Sequence, residues 1–189
     1  MAKASVPRVD PRLTRRSALG GAAALALASC RGGDPAPSQG PRAGSGAALL
    51  GSIIALEHAA AAAWAEIAGR LGGDGRRYAE AIRQREIGHA ERLGGLVREI
   101  GGTPPEGRPA AEYARLFPQL RDESDALRFA GDLEERLVRA YLDALHSLPD
   151  VDQRRAAAEI AADESEDLAV VHVLAGEPAA PRPFVTGTL

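Results

Sequence analysis

The chain has a single cysteine, Cys30, so no disulfide can form within it. Aromatic residues make up only 4% of the composition. Runs of β-branched residues are also scarce, while alanine, leucine and arginine dominate, a balance that disfavours a sheet and favours an all-α chain. Beyond Lys3 there is no lysine. Of 23 basic and 26 acidic residues, five basic and one acidic lie in the first 30 positions, which leaves the remainder with a formal charge of −7. That excess argues against a nucleic-acid-binding face. A length of 189 residues fits one domain with appendages.

The first 30 residues are set apart from the rest. Arg8, Arg12, Arg15 and Arg16 precede an apolar stretch, Ser17 to Ser29, that is too short for an ordinary transmembrane helix, which is the layout of a signal peptide. Thr14-Arg15-Arg16-Ser17-Ala18-Leu19 resembles a twin-arginine export signal, with Ala18 in place of the bulky apolar residue common there. Leu27-Ala28-Ser29-Cys30 resembles the lipobox of bacterial lipoproteins. That resemblance implies lipidation of Cys30 and an extracytoplasmic domain lipid-anchored to the cell membrane. The plainer alternative is a secretory leader cleaved near Ala28, with Cys30 an incidental thiol. Residues 31–46, rich in Gly, Pro, Ser and Ala, are expected to form a flexible tether.

Periodicity predicts four helices, roughly 47–71, 75–100, 124–148 and 151–175. Gly72-Gly73-Asp74-Gly75 and Pro149-Asp150 are tight breaks, so each flanking pair should form an antiparallel hairpin. Residues 101–123 carry Gly101, Gly102, Pro104, Pro105, Gly107, Pro109 and Pro118, with no helical stripe beyond one turn near Tyr113. Such a connection can run back along helices of about 37 Å. The expected fold over 47–176 is therefore an all-α four-helix bundle of two antiparallel hairpins joined by a long crossover. Pro178, Pro181 and Pro183 prevent the tail, 177–189, from continuing the last helix.

Charge interrupts every apolar stripe. Leu50, Ile53, Ile54, Ala60, Ala61, Trp64, Ile67 and Leu71 share a face with Glu57 in its middle. Tyr78, Ile82, Leu93, Leu96 and Ile100 share one with Glu86 and His89. Glu134 interrupts Leu127, Ala130, Leu137, Tyr141 and Leu148; Glu164 and Asp167 interrupt Ala157, Ile160, Val171 and Leu174. Five carboxylates and one imidazole thus point toward the core, where charge is strongly disfavoured unless a cation meets it. The pattern repeats: Glu57 and Glu134 are 77 residues apart, and both Glu86 and Glu164, and His89 and Asp167, are 78 apart. The hairpins look like copies facing a common centre, and a pair of divalent ions is the simplest partner for it. Glu57 and His89 then serve one ion, Glu134 and Asp167 the other, and Glu86 and Glu164 bridge. Carboxylates with imidazole, and no cysteine in the domain, suit iron or manganese.

From about Ala47 to Gly176 the chain resembles a ferritin-like di-iron carboxylate domain. The pattern of that family is a Glu on each of two helices plus Glu-x-x-His on each of the other two. Here those positions are Glu57, Glu86-x-x-His89, Glu134 and Glu164-x-x-Asp167. Leu56-Glu57-His58-Ala59 and His89-Ala90-Glu91-Arg92-Leu93 also resemble runs in exported bacterial members. The resemblance implies a dinuclear centre that oxidises Fe(II) with dioxygen or peroxide, or disproportionates peroxide with manganese.

Asp167 departs from the family pattern by replacing a neutral donor with a charge. Five carboxylates leave about −1 against two divalent ions, to be offset by protonation, an arginine or a more highly charged ion. The second position then binds weakly, holds a water, or stands vacant. The competing reading is a non-catalytic helical-bundle lipoprotein with a degenerate site and an envelope structural or interaction role, its acids paired with arginines such as Arg85 or Arg136. No protein partner is legible in either case.

The remaining polar and aromatic residues have plain expectations. His58, His146 and His172 sit off their seams, as surface or interhelical histidines. Trp64 and Tyr141 are expected in the core, Tyr141 with its hydroxyl satisfied or hydrogen-bonding a ligand. Arg83, Arg85, Glu91, Arg92 and Glu99 are expected on a solvated face.

Overall fold

A computed structural model describes residues 43–181; Arg15, Arg16, Cys30 and the end of the proline-rich tail lie outside the described residues. The described residues form five helices: α1 (Ala43–Ala68), α2 (Gly73–Glu99), a short α3 (Ala110–Ala114), α4 (Glu123–Ser147) and α5 (Val151–Leu174). No strand occurs among the described residues. The long helices start on aspartates where the sequence offers them. Asp122 accepts the N–H of Asp125, and Asp150 accepts those of Asp152 and Gln153, which satisfies donors that an α-helix leaves free at its start. Those backbone donors hold the Asp150 carboxyl below the usual carboxylate range.

Two helices end on glycines in the left-handed region, Gly101 (φ 78°) after α2 and Gly176 (φ 77°) after α5. At the first, Gly101 N–H bonds Arg98 O at 2.9 Å and Gly102 N–H bonds Val97 O at 2.8 Å. At the second, Gly176 bonds Val173 O at 3.0 Å and Glu177 bonds His172 O at 2.8 Å, the same paired closure of orphan carbonyls. Gly88 is different: it sits inside α2, exposed, with nothing within 4 Å of an added Cβ. Gly101→Ala should therefore cost about 1 kcal/mol of stability, whereas Gly88→Ala should add up to about 1 kcal/mol. Urea denaturation of the two variants checks the opposite signs.

α1 packs chiefly on α2, and α4 on α5, as two hairpins. One apolar cluster joins Leu50 and Ile54 of α1, Leu93 and Val97 of α2, Tyr141 and Ala144 of α4, and Ala157 and Ile160 of α5. A second joins Trp64 and Ile67, Ala79 and Ile82, Ala126 and Leu127, and Val171. The start of α1 thus meets the end of α2, the end of α4 and the start of α5. That order makes α4 parallel to α2, so the crossover traverses the bundle. On its way α3 packs on α1. There His58 Nε2 lies 3.3 Å from Pro105 O, and the Tyr113 hydroxyl accepts the Arg108 N–H at 3.0 Å.

The inward line of α2 corrects two expectations. It runs Ala79, Ile82, Glu86, His89, Leu93, Val97, while Tyr78 (49% exposed) and Ile100 (39% exposed) face out. Three and four residues back from Ile82 lie almost equally near the seam at 3.6 residues per turn, and the small Ala79 takes the place at the contact. Among the described residues one segment, Gly46–Ala68, is long and apolar enough to cross a membrane by length and composition. Its Leu50, Ile53, Ile54, Trp64 and Ile67 are buried against neighbouring helices around Glu57, as in the core helix of a bundle.

Candidate metal centre

Each long helix contributes to the site from its middle, between the two apolar clusters. Glu57, Glu86, Glu134, Glu164 and Asp167 are 0% exposed and His89 is 7% exposed. The structure brings all six together in two overlapping quartets. Glu57, Glu86, His89 and Glu164 offer ligand atoms within 4.8 Å of one another, as do Glu86, Glu134, Glu164 and Asp167. Glu86 and Glu164 belong to both. Ligands on opposite sides of an ion at about 2.2 Å are about 4.4 Å apart, so either quartet closes on an ion with a small contraction.

The side chains around the quartets obey the same internal symmetry. Tyr141 donates its hydroxyl to Glu57 Oε1, and Trp64 Nε1–H donates to Glu134 Oε1 at 2.8 Å. Each donor lies seven residues after the glutamate of its own helix and serves the glutamate of the other hairpin. Trp64 and Tyr141 are 77 residues apart, the offset of Glu57 and Glu134. That shared offset was the available signal for two donors that periodicity assigns only to the core. Both are buried in the apolar clusters and both are satisfied, through the site.

His89 faces three acids with one nitrogen and a fourth with the other. Nδ1 is 3.0 Å from Glu164, 3.6 Å from Glu86 and 3.8 Å from Glu57. Nε2 is 3.4 Å from Asp163, a half-exposed acid on α5. Arg85 takes the pairing with a buried acid that the competing reading expects, rather than the solvated face. Its side chain is 43% exposed, yet its Nε–H reaches Asp167 Oδ2 at 3.0 Å and a second N–H binds Asp167 Oδ1. Arg136, the other arginine considered for pairing with the buried acids, is exposed. Glu91, Arg92 and Glu99 are exposed as expected. His146 Nδ1 lies 2.9 Å from Leu142 O and His172 Nδ1 3.3 Å from Ala179 O, both away from the cluster.

Burial sets the protonation of the cluster when no cation is present. It pushes the Glu86 carboxyl up to about 10, against the lowering influence of His89 and with Glu57 and Glu164 adding to it. Burial, reinforced by the charges of Glu164 and Glu86, raises Glu134 well above the carboxylate range despite the Trp64 donor. Glu164 is raised by burial too, held down in part by His89. Burial alone would lower His89, but Glu164, Glu57 and Glu86 outweigh it and push the imidazole up to about 12. Without metal, burial thus favours the neutral form of Glu86 and Glu134, while the neighbouring carboxyls favour the charged form of His89.

The cluster's hydrogen bonding remains incomplete. Glu57 Oε2, both Glu86 oxygens, His89 Nδ1, Glu134 Oε2 and both Glu164 oxygens are buried without an aligned hydrogen-bond partner; the 3.0 Å approach of His89 Nδ1 to Glu164 is a charge contact rather than a directed bond. Buried polar atoms are nearly always paired in proteins. Concentrated at one centre, aimed at one another and of oxygen and imidazole type, they fit a hard or intermediate divalent cation.

A family model described as a ferritin-like domain matches residues 46–177. The crystal structure of a conserved hypothetical protein from Mycobacterium tuberculosis is similar with a TM-score of 0.62 at 18% identity, covering 76% of this chain and 99% of that chain, a likeness of fold. No curated protein matches.

Proposed function

The chain belongs to the ferritin-like domain family, and on that premise we propose that it holds divalent iron or manganese among Glu57, Glu86, His89, Glu134, Glu164 and Asp167. The observation that carries this reading is the concentration of unpaired buried donor atoms on Glu57, Glu86, His89, Glu134 and Glu164. Glu57 and His89 would serve one ion, Glu134 and Asp167 the other, and Glu86 and Glu164 both. Bound, such ions supply redox chemistry toward dioxygen or peroxide, as in oxidising Fe(II) or disproportionating peroxide. The surrounding residues position and shield. Tyr141 and Trp64 hold Glu57 and Glu134 by one oxygen each and leave the other free. Asp163 lies beside the outer nitrogen of His89, where it orients the ring. The apolar clusters on either side exclude bulk water.

Elemental analysis of protein purified without chelators should find up to two ions per chain, and Glu86→Ala with His89→Ala should remove them. Equal metal in that double variant places the site elsewhere. The proposed setting is the outer face of the cell membrane, supported by Arg15, Arg16 and the Leu27-Ala28-Ser29-Cys30 run. Replacing both arginines with lysine should block export, and Cys30→Ser should move the domain out of the membrane fraction. A Cys30→Ser protein that stays with membranes removes the lipid anchor from this reading. One observation favours the alternative of a non-catalytic bundle lipoprotein: Arg85 already pairs Asp167. Absence of metal from the wild-type protein under loading would decide for it.

A further inference from the structure

In both hairpins the residue just before the shared glutamate reaches across to the other hairpin. Asp163, before Glu164, approaches His89 Nε2 at 3.4 Å; Arg85, before Glu86, binds both oxygens of Asp167, its Nε at 3.0 Å from Oδ2. Arg85 and Asp163 are 78 residues apart, as are His89 and Asp167. The internal symmetry therefore maps an acid facing an imidazole onto a guanidinium facing an acid. Both members of the pair have changed sign together. Either change alone would set like charges face to face, two acids or two cations, at a place where Asp167 has no access to solvent.

We propose that this paired exchange makes the centre unequal: Glu57, Glu86, His89 and Glu164 hold one ion tightly, while Arg85 withholds Asp167 from the second. The inference rests on the metal-binding reading above and assigns an order of loading within it. Charge count does not forbid a second ion, because Arg85 brings five carboxylates back to a net four. What it removes is a donor. Both Asp167 oxygens are engaged in a two-point, charge-assisted pair with a guanidinium that cannot give up its proton. The other quartet meets no such competitor: Glu57 Oε2, both oxygens of Glu86 and Glu164, and His89 Nδ1 are all without an aligned partner. Arg85 is half-exposed, so it can swing into water and leave the buried Asp167 carboxylate to the incoming ion. A second ion therefore enters by displacing it.

Anaerobic Mn(II) titration of the full chain, with bound ions counted by elemental analysis and their coupling read by electron paramagnetic resonance, tests this directly. Wild type should take one ion tightly and a second at least about tenfold more weakly. Arg85→Gln should tighten the second by about tenfold and leave the first unchanged. Arg85→Asp with Asp167→His, which restores the symmetric pair, should bind two ions of similar affinity and show the spectrum of a coupled pair. His89→Ala should lose the tight ion. Two equal ions in wild type, unaltered in Arg85→Gln, overturn the inference and leave the metal-binding reading standing; no ion in any variant overturns both. Loss of the tight ion in Arg85→Gln also overturns it, since the guanidinium would then support the first position.

Discussion

Chelating the metal from a loaded preparation should lower the melting temperature by roughly 10 °C. An ion held at about a thousand times its dissociation constant stabilises the folded state by about 4 kcal/mol, and in a chain of this size each kcal/mol corresponds to about 2–4 °C. The unfolded chain does not share the benefit, because Glu57 and Glu164 meet only after both hairpins form and the crossover brings them face to face. Folding therefore takes up the binding free energy almost whole. The midpoint should climb with added Fe(II) or Mn(II) and fall back with chelator. Glu86→Ala with His89→Ala should melt at one temperature in both conditions. If that variant responds to chelator as the wild type does, the stabilising ion sits somewhere other than between the hairpins.

The fold and the six buried positions of the candidate site were legible because they violate the pattern around them. Glu57 inside a run of leucine, isoleucine and alanine is a break in a 3.6-residue stripe, and the Gly and Pro clusters mark where the stripes stop. Periodicity names a face, but not which of two adjacent positions leads on it; hence Ala79 rather than Tyr78. Nor does it name the residue arriving from another helix. That Trp64 serves Glu134 and Tyr141 serves Glu57 is a tertiary fact, visible in advance only through the 77-residue offset they share with the glutamates. Arg85 could be read two ways, as a partner for the buried acids or as part of the solvated face. On its own helix it belongs to the charged outer face, and only the position of Asp167 on α5 turns it inward. Its partnership with Asp167 is legible beside Asp163 and His89, because Arg85 and Asp163 share the 78-residue offset of His89 and Asp167 and the signs of both positions are reversed.

In the metal-free protein, Glu86→Leu should raise stability, and the gain should grow with pH. Glu86 binds its proton more tightly folded than unfolded, with its value raised from 4.5 to about 10 by burial, so across that window the folded state holds the extra proton and stability falls as pH rises. His89, raised from 6.5 to about 12, acts in the same direction: its contribution is complete below the unfolded value and is lost as pH climbs through the folded one. Wild-type metal-free protein should therefore melt lower at about pH 9 than at about pH 5. Leucine at position 86 is close in volume and fills the space between two apolar clusters without a charge to desolvate. Substituting buried ionic groups by apolar ones of similar size commonly yields about 1–4 kcal/mol. Neither Glu86 oxygen has an aligned hydrogen bond to forfeit, whereas the same change at Glu57 or Glu134 would orphan the Tyr141 hydroxyl or the Trp64 N–H. Thermal melts across pH should show the variant above wild type, with a shallower slope, the remainder belonging to His89, Glu134 and Glu164, and no response to added metal. A Glu86→Leu protein that melts below metal-free wild type at every pH contradicts this, and assigns the Glu86 carboxyl a structural hydrogen bond within the cluster instead of a role that only a cation completes.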